Sequence, residues 1–154
     1  MVERIALAAL ALCSVFMGYS LFVAADRFGT ATDAFDGVEI DFVDFRYERG
    51  QPAVDFSLDV ANPSQDTIRV VAIEYSFVVN GVQAGGGDLR PGERVEAEAT
   101  FRFSLQGRVT DRTYVDGLEP DEPLEWLVLA RMLVNVDARL DSTWFPFSFR
   151  AETP

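Results

Sequence analysis

The feature that most constrains the fold is an alternation of apolar and polar residues with a period of two. Apolar and polar residues alternate strictly between Val54 and Val60, and the same pattern runs from Val95 to Leu105. Because successive side chains of a β-strand point to opposite faces, this pattern predicts strands with one buried and one solvated face. Further segments with this period cover residues 71–79, 134–140 and 145–149.

Turn residues and one change of phase delimit these strands. Asn80-Gly81 lies between two apolar runs and predicts a hairpin, because a type I′ turn needs positive φ at both central residues. In the first strand the apolar positions change phase after Phe42, which predicts a β-bulge. From Pro123 to Leu133 the apolar residues have helical spacing, so we expect a helix there. The predicted fold is mainly β: an antiparallel β-sandwich of six or seven strands with one short helix.

An apolar run near the N-terminus predicts a membrane segment. Residues 5–25 are 21 residues without a charge, and as a helix they would be about 31 Å long, close to the roughly 30 Å hydrocarbon core of a bilayer. We interpret residues 1–25 as a retained transmembrane anchor that contacts the lipid bilayer through residues 5–25. A cleaved signal peptide is the alternative, since Val23-Ala24-Ala25 offers small residues for cleavage, although its apolar region is usually only about 7–15 residues long.

The orientation of this anchor rests on few residues. Arg4 precedes the apolar run and Arg27 follows it, so the positive-inside bias is weak. Because so short a tail precedes the run, we expect the N-terminus in the cytoplasm and the remaining chain outside the cell. Residues 26–34 are small and polar and predict a tether. Residues 35–154 form the predicted domain.

Composition excludes several classes of function. The chain of 154 residues has 25 acidic residues and 13 basic ones, a net charge of -12, which argues against nucleic acid as a partner. Histidine is absent, so a histidine base or zinc ligand is impossible, and we expect neither enzyme activity nor a cofactor. All basic residues are arginine, and this composition resembles that of halophilic archaeal proteins.

Four turn motifs follow one another in a recognisable order: the strand from Val54 that ends in Asn62-Pro63, the turn Asn80-Gly81, the glycine-rich step at 85–87 and Arg90-Pro91-Gly92. This order resembles a known family, the late embryogenesis abundant (LEA) type 2 domain, also called the water stress and hypersensitive response (WHy) domain. The resemblance implies an antiparallel sandwich with a helix, no known catalytic residues and a proposed part in tolerance of water stress. Asn62, Pro63, Asn80 and Gly81 are then structural motif positions.

Two clusters of residues are candidates for binding sites. Aspartates at positions 33, 36, 41 and 44 could collect Ca²⁺, but alternate acids on a strand are ordinarily its solvated face. Gly85-Gly86-Gly87 could cradle a phosphate, yet it opens no helix and has no lysine nearby, so we expect a flexible strand edge. We therefore assign no metal, catalytic or cofactor residue.

Aromatic residues concentrate towards the end of the chain. Phe145, Phe147 and Phe149 alternate as one strand face should, which places them in the core and Trp144 on the opposite face. The alternative is that Trp126 and Trp144 line an apolar groove between the sheets.

Two hypotheses for function follow from these observations. The first is a membrane-anchored, non-enzymatic protective domain outside the cell that helps protein or membrane survive loss of water or a change of salt. The second is a binding module that takes a lipid tail or a hydrophobic peptide between its sheets.

Overall fold

The computed structural model describes residues 37–119, 122–136 and 142–153. The predicted anchor, the tether and the aspartates at 33 and 36 lie outside these residues. In the described ranges, no helix has the length and apolar character needed to cross a bilayer.

The described fold is mainly β and antiparallel, as predicted. Its elements are β1 (Glu39–Tyr47), β2 (Ala53–Asn62), β3 (Ile68–Val79), β4 (Val82–Leu89), β5 (Glu93–Val95), β6 (Ala99–Val109), α1 (Arg112–Asp116), β7 (Leu124–Val136) and β8 (Ser142–Thr153). The described strands number eight instead of six or seven because the predicted strand from Val95 to Leu105 is interrupted. Glu98 has a φ of 56° there, which separates β5 from β6.

The strands form one sheet in the order β1-β2-β6-β4-β3-β7-β8, and β5 pairs with β3 beside β4. Only residues 85–86 of β4 pair with residues 108–109 of β6, so this short joint connects a β1-β2-β6 half to a β4-β3-β7-β8 half. On the other side β1 approaches β8, where the rings of Phe42 and Phe149 stack with centroids 4.1 Å apart. The sheet is therefore a nearly closed barrel.

The core fills the space between the two halves and follows the predicted alternation. Val54, Phe56, Leu58 and Val60 of β2 are all buried, whereas the residues between them are at least partly exposed. Register in β1 shifts between Phe42 and Asp44, which confirms the predicted bulge.

Phe56 connects the two halves of the sheet. Its ring centroid lies 4.9 Å from that of Tyr75 and 6.0 Å from that of Phe77, both on β3, and 5.6 Å from that of Phe149 on β8. Aromatic pairs at these distances add to the free energy gained by burying their surface. The packing of this ring therefore stabilises the association of the halves as well as β2 itself.

Glycines permit the close contact between β4, β3 and β6. A Cβ atom on Gly85 would lie 2.1 Å from the backbone oxygen of Arg108, and one on Gly107 would lie 2.4 Å from the ring of Phe77. Beside them the Tyr75 hydroxyl donates a hydrogen bond to the backbone oxygen of Gln106 at 2.8 Å. The run at 85–87, expected to be a flexible edge, is instead a packed part of β4.

The Tyr75 hydroxyl keeps its proton over the whole neutral range. Burial raises its pKa to about 12, and the nearby charge of Asp88 contributes in the same direction. The hydroxyl therefore remains a hydrogen-bond donor between the halves at any physiological pH.

The helix predicted from Pro123 to Leu133 is wrong. This segment belongs to β7, which pairs with β3 on one side and β8 on the other. Leu124, Trp126 and Val128 face the core at period two, while Leu127 and Leu129 make the other face apolar as well. With apolar residues on both faces, the run satisfies helical and strand spacing equally, and pairing on both sides selects the strand.

The helix that the structure describes, α1, lies at the end of the barrel where β6 ends and β7 begins. The side chain of Asp111 caps it by accepting a hydrogen bond from the backbone N–H of Tyr114 at 3.1 Å. Val115 is buried, and Arg49 donates to the backbone oxygen of Leu118. We call this the distal end. The opposite end, where β1, β6 and β8 begin and β2 and β7 end, is the proximal end.

Candidate functional site

Asn62 is a buried polar residue at the proximal end of β2, with only 1% of its surface exposed. Its side-chain nitrogen donates to the backbone oxygens of Asp66 at 2.8 Å and of Val95 and Glu96 at 3.1 Å. Its side-chain oxygen accepts from the Ser64 hydroxyl at 2.7 Å. One amide thus joins the end of β2, the turn after it and the connection from β5 to β6, and these contacts describe a structural role.

Replacing Asn62 should test this role. Asn62→Asp removes both N–H donors and turns a carboxylate towards three carbonyl oxygens, so the free energy of unfolding should fall by about 3 kcal/mol. Gln65→Ala is the matched control, because Gln65 is an exposed amide in the same turn and its loss should cost less than about 0.5 kcal/mol. Urea denaturation followed by circular dichroism measures both. Equal losses in the two variants would contradict the role given to Asn62.

The other motif positions also shape the backbone. Pro63 lies against the beginning of the described chain, where a Cβ atom on Gly37 would be 2.7 Å from its ring. Asn80 and Gly81 have φ values of 46° and 86°, which confirms the predicted hairpin between β3 and β4. The Asn80 side chain further accepts from the backbone N–H of Glu125 at 2.9 Å.

The two tryptophans lie on opposite faces of the sheet. Trp126 is buried in the core, and its indole N–H donates to the Thr153 hydroxyl at 3.0 Å. Trp144 is 39% exposed on the outer face of β8, as predicted, and its ring lies under the guanidinium of Arg131 at 4.5 Å. The interpretation that Trp126 and Trp144 line one groove is therefore corrected: a two-residue period places even positions of β7 inward, whereas Trp144 pairs with an outward residue of β7, Leu133.

The outer face beside Trp144 carries a shallow, open groove. Arg131 donates to the Glu74 carboxylate at 2.7 Å, and Leu129 and Pro146 supply apolar surface next to this pair. Such an open surface suits contact with another surface more than enclosure of a small molecule. No sequence signal marked it, because Glu74 and Arg131 come together only through the pairing of β3 with β7.

The exterior charges of the described strands are carboxylates and arginines without a metal-binding arrangement. Asp59 forms a double hydrogen bond with Arg102 at 2.7 Å, and this bond lowers the pKa of the Asp59 carboxyl. Asp41 lies directly opposite Asp59 in the register of β1 and β2. Within the described residues, no three acidic or sulfur side chains are grouped so as to hold a metal ion. The aspartates at 33 and 36 lie outside the described residues.

Two inward aromatic residues are partly open to solvent, which the alternation of the sequence did not predict. Phe42 and Phe101 share the inner face with buried Leu58 and Val60, yet they remain 38% and 36% exposed. Both lie in the part of their strand nearer the proximal end. The alternation correctly assigned their face, but it contains no information on where the barrel ends.

The fold is similar to that of several solved structures. A solution structure of a candidate LEA protein aligns with a TM-score of 0.59 at 13% identity, over 91% of this chain and 83% of that one. A protein from Archaeoglobus fulgidus aligns with a TM-score of 0.51 at 12% identity, over 77% of this chain and 98% of that one. A protein from Arabidopsis thaliana aligns with a TM-score of 0.51 at 17% identity, over 75% and 76%.

These similarities are found by comparing structures, and comparisons of the sequence found no match. No protein-family model matches the chain, and no curated protein matches it. At such identities the likeness shows the fold alone. The chain therefore has an LEA-like fold.

Proposed function

We propose that this chain is a membrane-anchored, non-enzymatic LEA type 2-like domain outside the cell, with a part in tolerance of water or salt stress. The observation that carries the proposal is the division of the LEA-like fold into an apolar core and an acidic exterior. Within the described residues no acidic or basic residue belongs to the buried core, and the buried Asn62 and Thr153 are both hydrogen-bonded. The charges of the described residues are thus carried at the surface, in a chain whose net charge is -12.

This division supports a protective role through simple electrostatics. Exposed carboxylates remain strongly hydrated, and their mutual repulsion keeps copies of the domain apart in crowded or concentrated solution. High salt screens repulsion within the domain, since the Debye length falls to about 3 Å at 1 M. A domain of this kind remains folded and soluble when salt rises, which is the condition under which protection is needed.

Fractionation tests the anchored location. The full chain should stay with the membrane after alkaline carbonate washing, because residues 5–25 are long enough to span the hydrocarbon core. Protease added outside intact cells should digest the domain once it is destabilised by Asn62→Asp. Release of the full chain by carbonate would contradict the anchor, and a mature N-terminus at Asp26 would show cleavage instead of retention.

Salt dependence tests the stress role. The melting temperature should rise by several degrees between about 0.1 M and 2 M KCl, because salt first screens self-repulsion and then strengthens apolar burial. The double variant Glu39→Gln with Asp41→Asn removes two exposed charges and should show a smaller rise. Potassium and sodium chloride should act alike. A domain equally stable in dilute buffer would show that its acidic surface is not an adaptation to salt.

The binding-module hypothesis is the second candidate, and Phe42 and Phe101 now favour it instead of the two tryptophans. A lipid tail or hydrophobic peptide could reach the inner face where these rings are exposed. Native mass spectrometry of the full chain in mild detergent measures retained ligand. A stoichiometric apolar molecule would favour this candidate over the protective role.

A further inference from the structure

Exposed aromatic residues collect at the proximal end of the barrel. Phe42 is the fourth residue of β1, while Phe101 and Trp144 are the third residues of β6 and β8, and all three strands begin at this end. At the distal end, by contrast, α1 and the segments beside it cover the core with Val115. The exposed rings thus lie towards one end of the barrel, Phe42 and Phe101 on its inner face and Trp144 on its outer face.

The proximal end is also the end nearest to the predicted anchor. The described chain begins at residue 37 and enters β1 at Glu39, so eleven residues, 26–36, separate it from residue 25. A fully extended residue spans at most about 3.6 Å, which limits the separation of anchor and domain to roughly 40 Å. An anchored domain therefore cannot move far from the bilayer, and its proximal end is the part that meets the lipid first.

We propose that the proximal end rests on the bilayer surface, with Phe42, Phe101 and Trp144 in the interfacial layer. This inference depends on the anchoring proposed above. Aromatic rings favour the level of the lipid headgroups, and tryptophan does so most clearly because its ring is apolar and its N–H is polar. Arg131 stacks on Trp144 and is paired with Glu74, so the positive charge beside this ring is balanced within the domain.

Charge defines the kind of bilayer that fits. Glu39 and Asp41 lie at the start of β1 near the aromatic residues, and the whole chain is acidic. An anionic membrane would repel such a surface, and this repulsion weakens as salt is added. The partner is therefore a zwitterionic bilayer at low salt, or an anionic one only when high salt screens the charges.

The two tryptophans make the experiment specific. Trp126 is buried and pairs with Val79 beside the distal hairpin, whereas Trp144 lies near the proximal end. The full chain is reconstituted into phosphatidylcholine vesicles with and without brominated acyl chains, which quench nearby tryptophan emission. We expect a clear loss of emission for the wild type. Trp144→Phe, which leaves only Trp126, should show no loss.

A second variant, Trp126→Phe, allows the emission of Trp144 to be measured alone. Trp126→Phe leaves only Trp144 and should lose a larger share of its emission than the wild type, provided that its circular dichroism spectrum is unchanged. Phe101→Ser should reduce the quenching of Trp144 by lifting the domain from the surface. Should Trp126→Phe fail to fold, the difference between wild type and Trp144→Phe still isolates Trp144.

The possible outcomes distinguish failure of the proposed anchor from failure of the proposed contact between the proximal end and the bilayer. Retention of the chain in carbonate-washed vesicles without bromine quenching of Trp144 would overturn the interfacial contact and leave the anchor intact. Loss of the chain from washed vesicles would overturn the anchor and the contact together. A blue shift of Trp144 emission without quenching would place this ring against another protein or a second copy, which also overturns the contact with lipid.

Discussion

Phe56→Asp should unfold the domain, or lower its free energy of unfolding by more than about 4 kcal/mol. Removing a buried phenylalanine ring alone costs about 3–5 kcal/mol, and an uncompensated charge in an apolar site adds to this. Phe56 is 2% exposed and its ring contacts Tyr75 and Phe149 of the opposite half of the sheet, so no rotation of the new side chain brings its carboxylate into water while the halves stay together. Denaturation in urea and the near-ultraviolet circular dichroism spectrum measure the loss.

Ser57→Asp is the matched control for this prediction. Ser57 follows Phe56 on β2 but points outward, opposite Asp44 of β1. The variant introduces the same charge one residue away and should cost about 0.5–1 kcal/mol through repulsion between neighbouring carboxylates. If the two variants lose equal stability, the phase assigned to β2 is wrong.

Gly85→Ala should separate the two halves of the sheet where β4 meets β6. The added methyl group would lie 2.1 Å from the backbone oxygen of Arg108, so backbone and not a flexible side chain must move. Because β4 and β6 pair only at residues 85–86 and 108–109, a shift there removes the whole joint. We expect a loss of about 3 kcal/mol in the free energy of unfolding. Faster hydrogen exchange should appear first along β4 and β6.

Gly50→Ala is the control variant for Gly85→Ala, because it adds the same methyl group away from the joint between β4 and β6. Nothing lies within 4 Å of a Cβ atom at this position, but its φ of 81° is unfavourable for alanine. Backbone strain alone should therefore cost about 1–2 kcal/mol, without loss of the β4–β6 pairing. A loss in Gly85→Ala no larger than that in Gly50→Ala would show that the close contact with Arg108 is easily relieved.

Strand prediction from the sequence succeeded where one face of a strand is polar. In β2 the period of two correctly placed Phe56 inward and Ser57 outward, and Asn80-Gly81 correctly marked the hairpin. In β7, however, apolar residues occupy both faces, and the helix predicted there is wrong. The outer face of β7 also carries leucines, although Leu129 there is 45% exposed, so the sequence of this strand has no single period.

In the candidate site, too, some features could be predicted from the sequence and others could not. Asn62-Pro63 was visible as a motif, but the carbonyl oxygens that Asn62 binds lie up to 34 residues away in the sequence. The alternation in β8 correctly placed Trp144 on the outer face, but nothing in the sequence showed that Trp126 is buried or that Trp144 stacks on Arg131. The joining of Glu74 to Arg131 likewise depends on the register between β3 and β7.

Local patterns in the sequence were enough to predict the β class, the faces of the alternating strands, the bulge, the hairpin and the acidic character of the exterior. The order of the strands, the short joint at Gly85, the position of α1 and the exposure of Phe42 and Phe101 at the proximal end became visible only in the folded chain. The two groups of features differ in the sequence separation over which they are encoded. Periodicity and turn residues act over a few positions and encode which side of the backbone is buried, whereas pairing and close packing depend on partners that folding brings from distant parts of the chain.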